Sequence, residues 1–193
     1  MKIEPVEPGN LGRQYTSALQ DFFGKIKTNE LARFREAGKL SAETISGGRK
    51  VVASLIGHFM SSQRRMPGYP EIFTIRENEY GSEQLEGILE SGDVWLHVGY
   101  SYYPERELNY AREVGAKTIC VFTPGPTDIG EGWPVDADMS LIDIYIDPYW
   151  KHGDAVVNVP GYDVNIIPPS GVMMISCYWM LIGETMGVLE TLK

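Results

Sequence analysis

Cysteine is scarce in this chain, with two among 193 residues, Cys120 and Cys177. Each lies in an apolar run and neither has a CxxC partner, so they read as buried, reduced thiols rather than a disulfide or metal site. The three histidines, His58, His97 and His152, do not fall at zinc-motif spacing. Walker, GxGxxG and GxSxG loops are all missing, which leaves no sequence basis for a nucleotide, dinucleotide or other cofactor. Positive charge is also short, with 17 Lys and Arg against 26 Asp and Glu and a net charge of −9. A long-range field of that sign repels nucleic acid and anionic membranes, so neither is an expected partner. A small anionic substrate would need a local positive site.

The longest late apolar run, "GVMMISCYWMLIG", has 13 residues before Glu184. Spanning a bilayer takes roughly 20 apolar residues, so the run reads as a buried helix. "MKIEPVEPGNLGRQ" has no apolar core like that of a signal peptide, and a cytoplasmic location is the expectation.

What is present is the composition of a globular chain, 43% hydrophobic and 22% charged. "QYTSALQDFFGKI" and "TNELARFREAGKLSAETISGG" space apolar residues at three and four, as amphipathic helices do. Thr28 is a candidate cap for the second, and Gly47-Gly48 can end it. "KVVASLIG", "EIFTI", "DVWLHVG", "KTICVFT" and "MSLIDIYI" read as strands. Between them, "SEQLEGILESG" reads as a helix with Ser82 as cap, and "PERELNYAREVG" as one opened by Pro104 and closed by Gly115. "DAVVNV" reads as a short edge strand, and a last helix begins near Ser170.

This alternation implies an α/β fold: a three-layer, doubly wound, five-stranded parallel sheet. The common order is 2-1-3-4-5, which places a ligand between the carboxyl ends of strands one and three. An amino-terminal helical arm would occupy residues 1–46 and the α/β domain residues 47–193.

Those two strand ends are "GHFMSSQRR" and "GYSYYPERE". Gly57 and Gly99 permit close backbone approach. Ser61, Ser62, Arg64 and Arg65 offer hydroxyls and positive charge suited to phosphate or carboxylate; a solvated helix face is the equal alternative for the arginines. Tyr100 and Ser101, with Tyr102 and Tyr103, would line the second loop, either stacking on a sugar ring or packing against another subunit. Of the histidines, His58 ends a strand and His152 lies in a loop. His97, inside an apolar strand, reads as a satisfied core residue.

On these residues the chain resembles the sugar isomerase (SIS) domain family of phosphosugar-binding proteins. "SGDVWLHVG", a helix and "GAKTICVFT" are similar to that family's strand–loop–helix–strand unit. "ADMSLIDIYID", "HGDA" and "IPPSGV" resemble an uncharacterised branch grouped with phosphoheptose isomerases. The resemblance runs from about residue 28 to the end of the sequence. It implies a homodimer or larger assembly that binds a sugar phosphate, with aldose–ketose isomerisation as the activity and a non-catalytic sensor or assembly subunit as the alternative. It also adds Asp154 and Ser170 on matching motifs, and Glu184, with His58 or His152, as the base that an enediol mechanism needs. The sequence departs from the family where it matters for phosphate. Phe59 and Val98 stand at signature serine positions, and Arg64 and Arg65 replace a pair of glutamates.

Overall fold

In the computed structural model, the described residues are 5–57, 68–74, 82–100, 103–123, 137–150 and 153–192. Two helices come first, α1 (Asn10–Asn29) and α2 (Leu31–Ser46). The strands are β1 (Val51–Leu55), β2 (Ile72–Thr74), β3 (Val94–Val98), β4 (Lys117–Val121) and β5 (Ile144–Ile146). Helix α3 (Glu105–Val114) joins β3 to β4, and α4 (Ser170–Thr191) follows the last strand.

All the strand pairings are parallel and the sheet order is β2-β1-β3-β4-β5. β1 and β3 pair from Val51 with Val94 to Leu55 with Val98, so both strands end at the same level. Every residue of these two strands is buried. That is why their sequences are continuous apolar runs rather than alternating ones.

Each face of the sheet has its own core. On one, Val51, Ala53, Leu55, Leu96 and Val98 pack against Phe34 and Ala37 of α2 and Met173, Met174 and Cys177 of α4. On the other, Val52, Trp95, Cys120 and Phe122 pack against Leu108 and Ala111 of α3. The α/β reading with a helix-covered parallel sheet therefore holds. Both thiols are free and buried. By length and composition α4 could cross a bilayer, but here it packs on α2 and the sheet, with Met173, Cys177, Tyr178 and Leu181 in the core.

Three local expectations are corrected. Thr28 is not a cap: it lies inside α1, where its hydroxyl donates to the Gly24 carbonyl at 2.9 Å. The chain breaks instead at Glu30, whose buried carboxylate accepts from Arg33 at 2.8 Å and from the Tyr149 hydroxyl at 2.9 Å. "SEQLEGILESG" makes only a 3-10 turn, Ser82–Gln84, followed by turns. Gly87 at φ +72° takes the left-handed conformation that a helix cannot continue through. "DAVVNV" contributes one antiparallel bridge, Val157 to Ile166, and no strand.

The approach of α2 to α4 depends on Gly38. A Cβ there would stand 2.8 Å from the Glu184 carbonyl carbon and 2.9 Å from the Thr185 amide nitrogen. Backbone cannot yield at such distances, so only glycine permits this helix contact.

Candidate functional site

Past the last paired residues, hydrogen bonding continues across the carboxyl ends of the strands. The Ile56 amide donates to the Val98 carbonyl at 2.9 Å, and the Gly99 amide to that of Val121 at 2.9 Å. The Thr123 amide reaches the Tyr100 carbonyl at 3.3 Å, and the Thr123 hydroxyl donates to the Trp150 carbonyl at 2.5 Å. Gly57 and Gly99 thus leave adjacent strands at one end of the sheet. The crevice between them is where a doubly wound sheet of this order receives its ligand.

Gly57 has φ +113°, and a Cβ on it would lie 3.1 Å from the Met174 Cε of α4. Helix α4 begins beside it at Ser170. Asp154, 7% exposed and held at φ +44°, places its carboxylate on that helix start. Its Oδ1 accepts from the Ser170 amide at 3.0 Å and its Oδ2 from the Ser170 hydroxyl at 2.6 Å. A carboxylate there satisfies a free N–H of the first turn and complements the helix dipole. The Tyr100 hydroxyl also hydrogen-bonds Asp154. Burial, and then that carboxylate, push the Tyr100 phenol up to about 12. Tyr15 of α1 is close enough to Asp154 for its own phenol to be raised, by burial first and Asp154 second, and it donates to the Pro168 carbonyl at 3.2 Å.

Gly57, Gly99, Tyr100, Asp154 and Ser170, drawn from three separate loops and a helix start, are therefore brought together. Glu184 is not. It lies 14 positions along α4 from Ser170, about 21 Å at 1.5 Å per residue, and is half-buried against Gly38. Within one chain it cannot act as the base of this crevice. His58, Ser61, Ser62, Arg64, Arg65, Ser101 and His152 lie outside the described residues. A cavity of about 270 Å³ lies elsewhere, bordered by Ser46, Tyr69 and Pro70 just before β1 and β2 and by Met186 and Leu189 of α4.

His97 is the residue whose environment the sequence reading missed. It is buried as expected but not satisfied: among the described residues neither ring nitrogen has a hydrogen-bond partner. Burial lowers its pKa to about 3, so the ring is neutral at ordinary pH. Its rings of contact are Trp95, at 5.3 Å between centroids, and Phe122, at 5.9 Å. The clue in the sequence is Gly99 two positions on, since residues i and i+2 share a strand face. A Cβ at Gly99 would collide with the His97 imidazole, Nε2 foremost. Tyr15 had no comparable clue, because sequence alone does not say where α1 docks.

The chemistry of this cluster is that of phenols, a hydroxyl and a carboxylate. It suits a ligand rich in hydroxyl groups. The start of α4 already holds the Asp154 carboxylate, so an external phosphate would need its cation elsewhere. Among the described residues no group of three or more His, Cys, Asp or Glu side chains is arranged to hold a metal ion.

Taken together, the parallel sheet, its order and the covering helices define a three-layer α/β protein whose strand order reverses between β1 and β3. Its fold is like that of phosphoheptose isomerase from Neisseria gonorrhoeae, a solved structure that matches 93% of this chain and 97% of its own length, with a TM-score of 0.55 and 12% identity. Serine palmitoyltransferase from S. paucimobilis also aligns, over 90% of this chain and 51% of its own, with 17% identity. Its TM-score of 0.36 is too low to indicate a shared fold. No protein-family model matches the chain. No curated protein matches it by sequence.

Proposed function

We propose that this chain binds a phosphorylated sugar or related carbohydrate derivative in a SIS-type pocket between the turns after β1 and β3. The carrying observation is the meeting of Gly57, Tyr100, Asp154 and Ser170 at that point, with Ser170 hydroxyl and amide both fixed on Asp154. The phosphoheptose isomerase fold is in keeping with this reading. Arg64 and Arg65, seven and eight positions past Gly57 and standing where the family has a pair of glutamates, would supply the phosphate grip lost with the signature serines. A guanidinium fork offers a bidentate grip on phosphate that a serine does not. The ligand's hydroxyl chain then lies toward Tyr100 and Asp154. In this reading the protein is a cytoplasmic homo-oligomer joined through α1 and α4, which expose Phe23, Val172 and Trp179.

Thermal unfolding with hexose, heptose and amino-sugar phosphates tests the binding. Stabilisation by at least one at millimolar concentration is expected, and none by inorganic phosphate of equal strength. A flat response across the panel would reject phosphosugar binding.

A non-catalytic sensor is the second reading, and the position of Glu184 favours it. With that carboxylate about 21 Å along the helix from Ser170, His58 and His152 are the remaining candidates for the base that shuttles the enediol proton. A coupled aldose–ketose assay separates the two: turnover lost in His58→Ala or His152→Ala establishes an isomerase, and its absence in the wild type establishes the sensor.

A further inference from the structure

Buried polar groups without partners are few in folded chains, and each is costly to leave unpaired. Two described side chains have nitrogens in that state, His97 and Trp150, and both belong to the carboxyl end of the sheet. His97 is the next-to-last residue of β3, and Trp150 comes four residues after β5. The amide of Trp150 is not the issue; its carbonyl is engaged by Thr123. For His97 the direction is known as well. The ring reaches along its strand to lie beside Gly99, with Nε2 against the spot where any other residue would carry a Cβ. It therefore points toward the carboxyl end of the strand, on the α3 face beside Trp95 and Phe122, 1% exposed and without a partner among the described residues.

We propose that His97 is a ligand-contacting residue of the crevice, giving its hydrogen bonds to an uncharged hydroxyl or carbonyl group of the bound molecule. This rests on the crevice being the binding site, and it deepens that reading by assigning the ligand's orientation. Neutral imidazole carries one donor and one acceptor, the same complement as an alcohol. It brings no positive charge, since burial keeps it unprotonated. Buried Glu107 of α3, on the same face of the sheet and within electrostatic reach of Cys120 beside His97, also disfavours an anion there. The phosphate end of a sugar phosphate is thereby directed away from His97, and its polyol or carbonyl end toward it. Contact requires the Gly99–Tyr100 backbone to shift and release its bonds to Val121 and Thr123, because the imidazole already fills the space that a Gly99 side chain would take.

The test uses native full-length protein and diethyl pyrocarbonate, with acylated histidines mapped by mass spectrometry. His97 is expected to be acylated in the folded state, more slowly than His58 or His152, and protected about tenfold by whichever sugar phosphate stabilises the chain. Tenfold protection corresponds to ligand at about nine times its Kd, since the unprotected fraction falls by the factor 1 + [L]/Kd. If His97 stays unmodified while another histidine reacts, the inference is overturned, even should a sugar phosphate bind. If His97 reacts and no member of the panel binds, phosphosugar binding fails while the crevice contact stands. His97→Leu and His97→Gln provide the second check. Leu is expected to weaken binding by about tenfold and Gln, which keeps a donor and an acceptor, to recover part of it. Equal affinity in wild type and His97→Leu would also overturn the inference.

Discussion

The two ends of the sheet treat buried polar groups in opposite ways. At the amino ends, Asp93 is fully buried, and its carboxylate accepts from the Lys50 amide at 2.9 Å and the Glu90 amide at 2.9 Å. Asp143 does the same for β4 and β5, accepting from the Thr118 amide at 2.9 Å and from Lys117 at 2.7 Å. At the carboxyl ends lie an imidazole and an indole without partners among the described residues. Among the described residues, those other than glycine with left-handed backbone, Tyr149, Asp154 and Ile167, fall in the segment that follows β5. Strain and unmet hydrogen bonds persist only where something offsets them. One end is built to hold the strands in register, and the other holds chemistry in reserve.

Removing a polar group should therefore have opposite consequences at the two ends. The largest effect is expected for Asp93→Ala. It strands two backbone amides that had charge-assisted bonds, each contributing about 1.5–3 kcal/mol. A loss of about 3–5 kcal/mol, read as a lower urea midpoint with an unchanged slope, is the expected outcome. A loss under about 1 kcal/mol would mean that the carboxylate is not what ties β1 to β3.

The next effect concerns acid. Because the folded-state pKa of His97 is about 3 while the ordinary value is 6.5, the unfolded chain binds a proton in that interval and the folded chain does not. The stability is complete above pH 6.5 and is lost as pH falls toward 3, at about 1.4 kcal/mol per pH unit. Between pH 6.5 and 4.5 the wild type should lose about 2–3 kcal/mol more than His97→Leu, measured by denaturation at each pH. At neutral pH the leucine variant should be no less stable than wild type by more than about 1 kcal/mol, since an apolar group replaces an unsatisfied one. Parallel acid curves would place a hydrogen-bond partner on His97 and erase the contrast between the two ends.

The contrast also explains what could be read from the sequence. Apolar runs and the glycines that close them depend on local chemistry. "DVWLHVG" and "PERELNYAREVG" accordingly became β3 and α3, with Gly115 at φ +80° ending the helix. Local signals misled where long-range contacts decided. Thr28 resembled a cap, but α1 continues through it because Phe22 and Ile26 are buried in the core. Glu184, a base only by the family resemblance, packs against Gly38, a contact that no local pattern announces. Asp154 and Ser170, 16 positions apart, were legible only through family resemblance. Nothing in their spacing shows that one would hold the other. His97 reads as buried and satisfied; it is buried but has no partner among the described residues, since pattern reports burial and says nothing of partners.

The smallest effect is expected at Tyr100, where the two roles of the carboxyl end meet. Tyr100→Phe removes the phenol bonded to Asp154 while Ser170 still holds that carboxylate through its amide and hydroxyl. Tyr100 is only partly buried, so the stability lost at neutral pH should stay below about 1 kcal/mol. Its folded-state pKa near 12 lies above the ordinary 10, so the folded chain keeps a proton that the unfolded chain releases. That contribution is fully present below pH 10 and is lost as pH rises toward 12. Tyr103, also near 12, titrates in both proteins and cancels in the comparison. The difference in stability between wild type and Tyr100→Phe should therefore shrink across that interval. Sugar-phosphate affinity should fall severalfold at pH 7 in the same variant, because the hydroxyl that steadies Asp154 is gone. A variant that binds as well as wild type would assign Tyr100 to the framework and move the recognition surface toward residues 58–65.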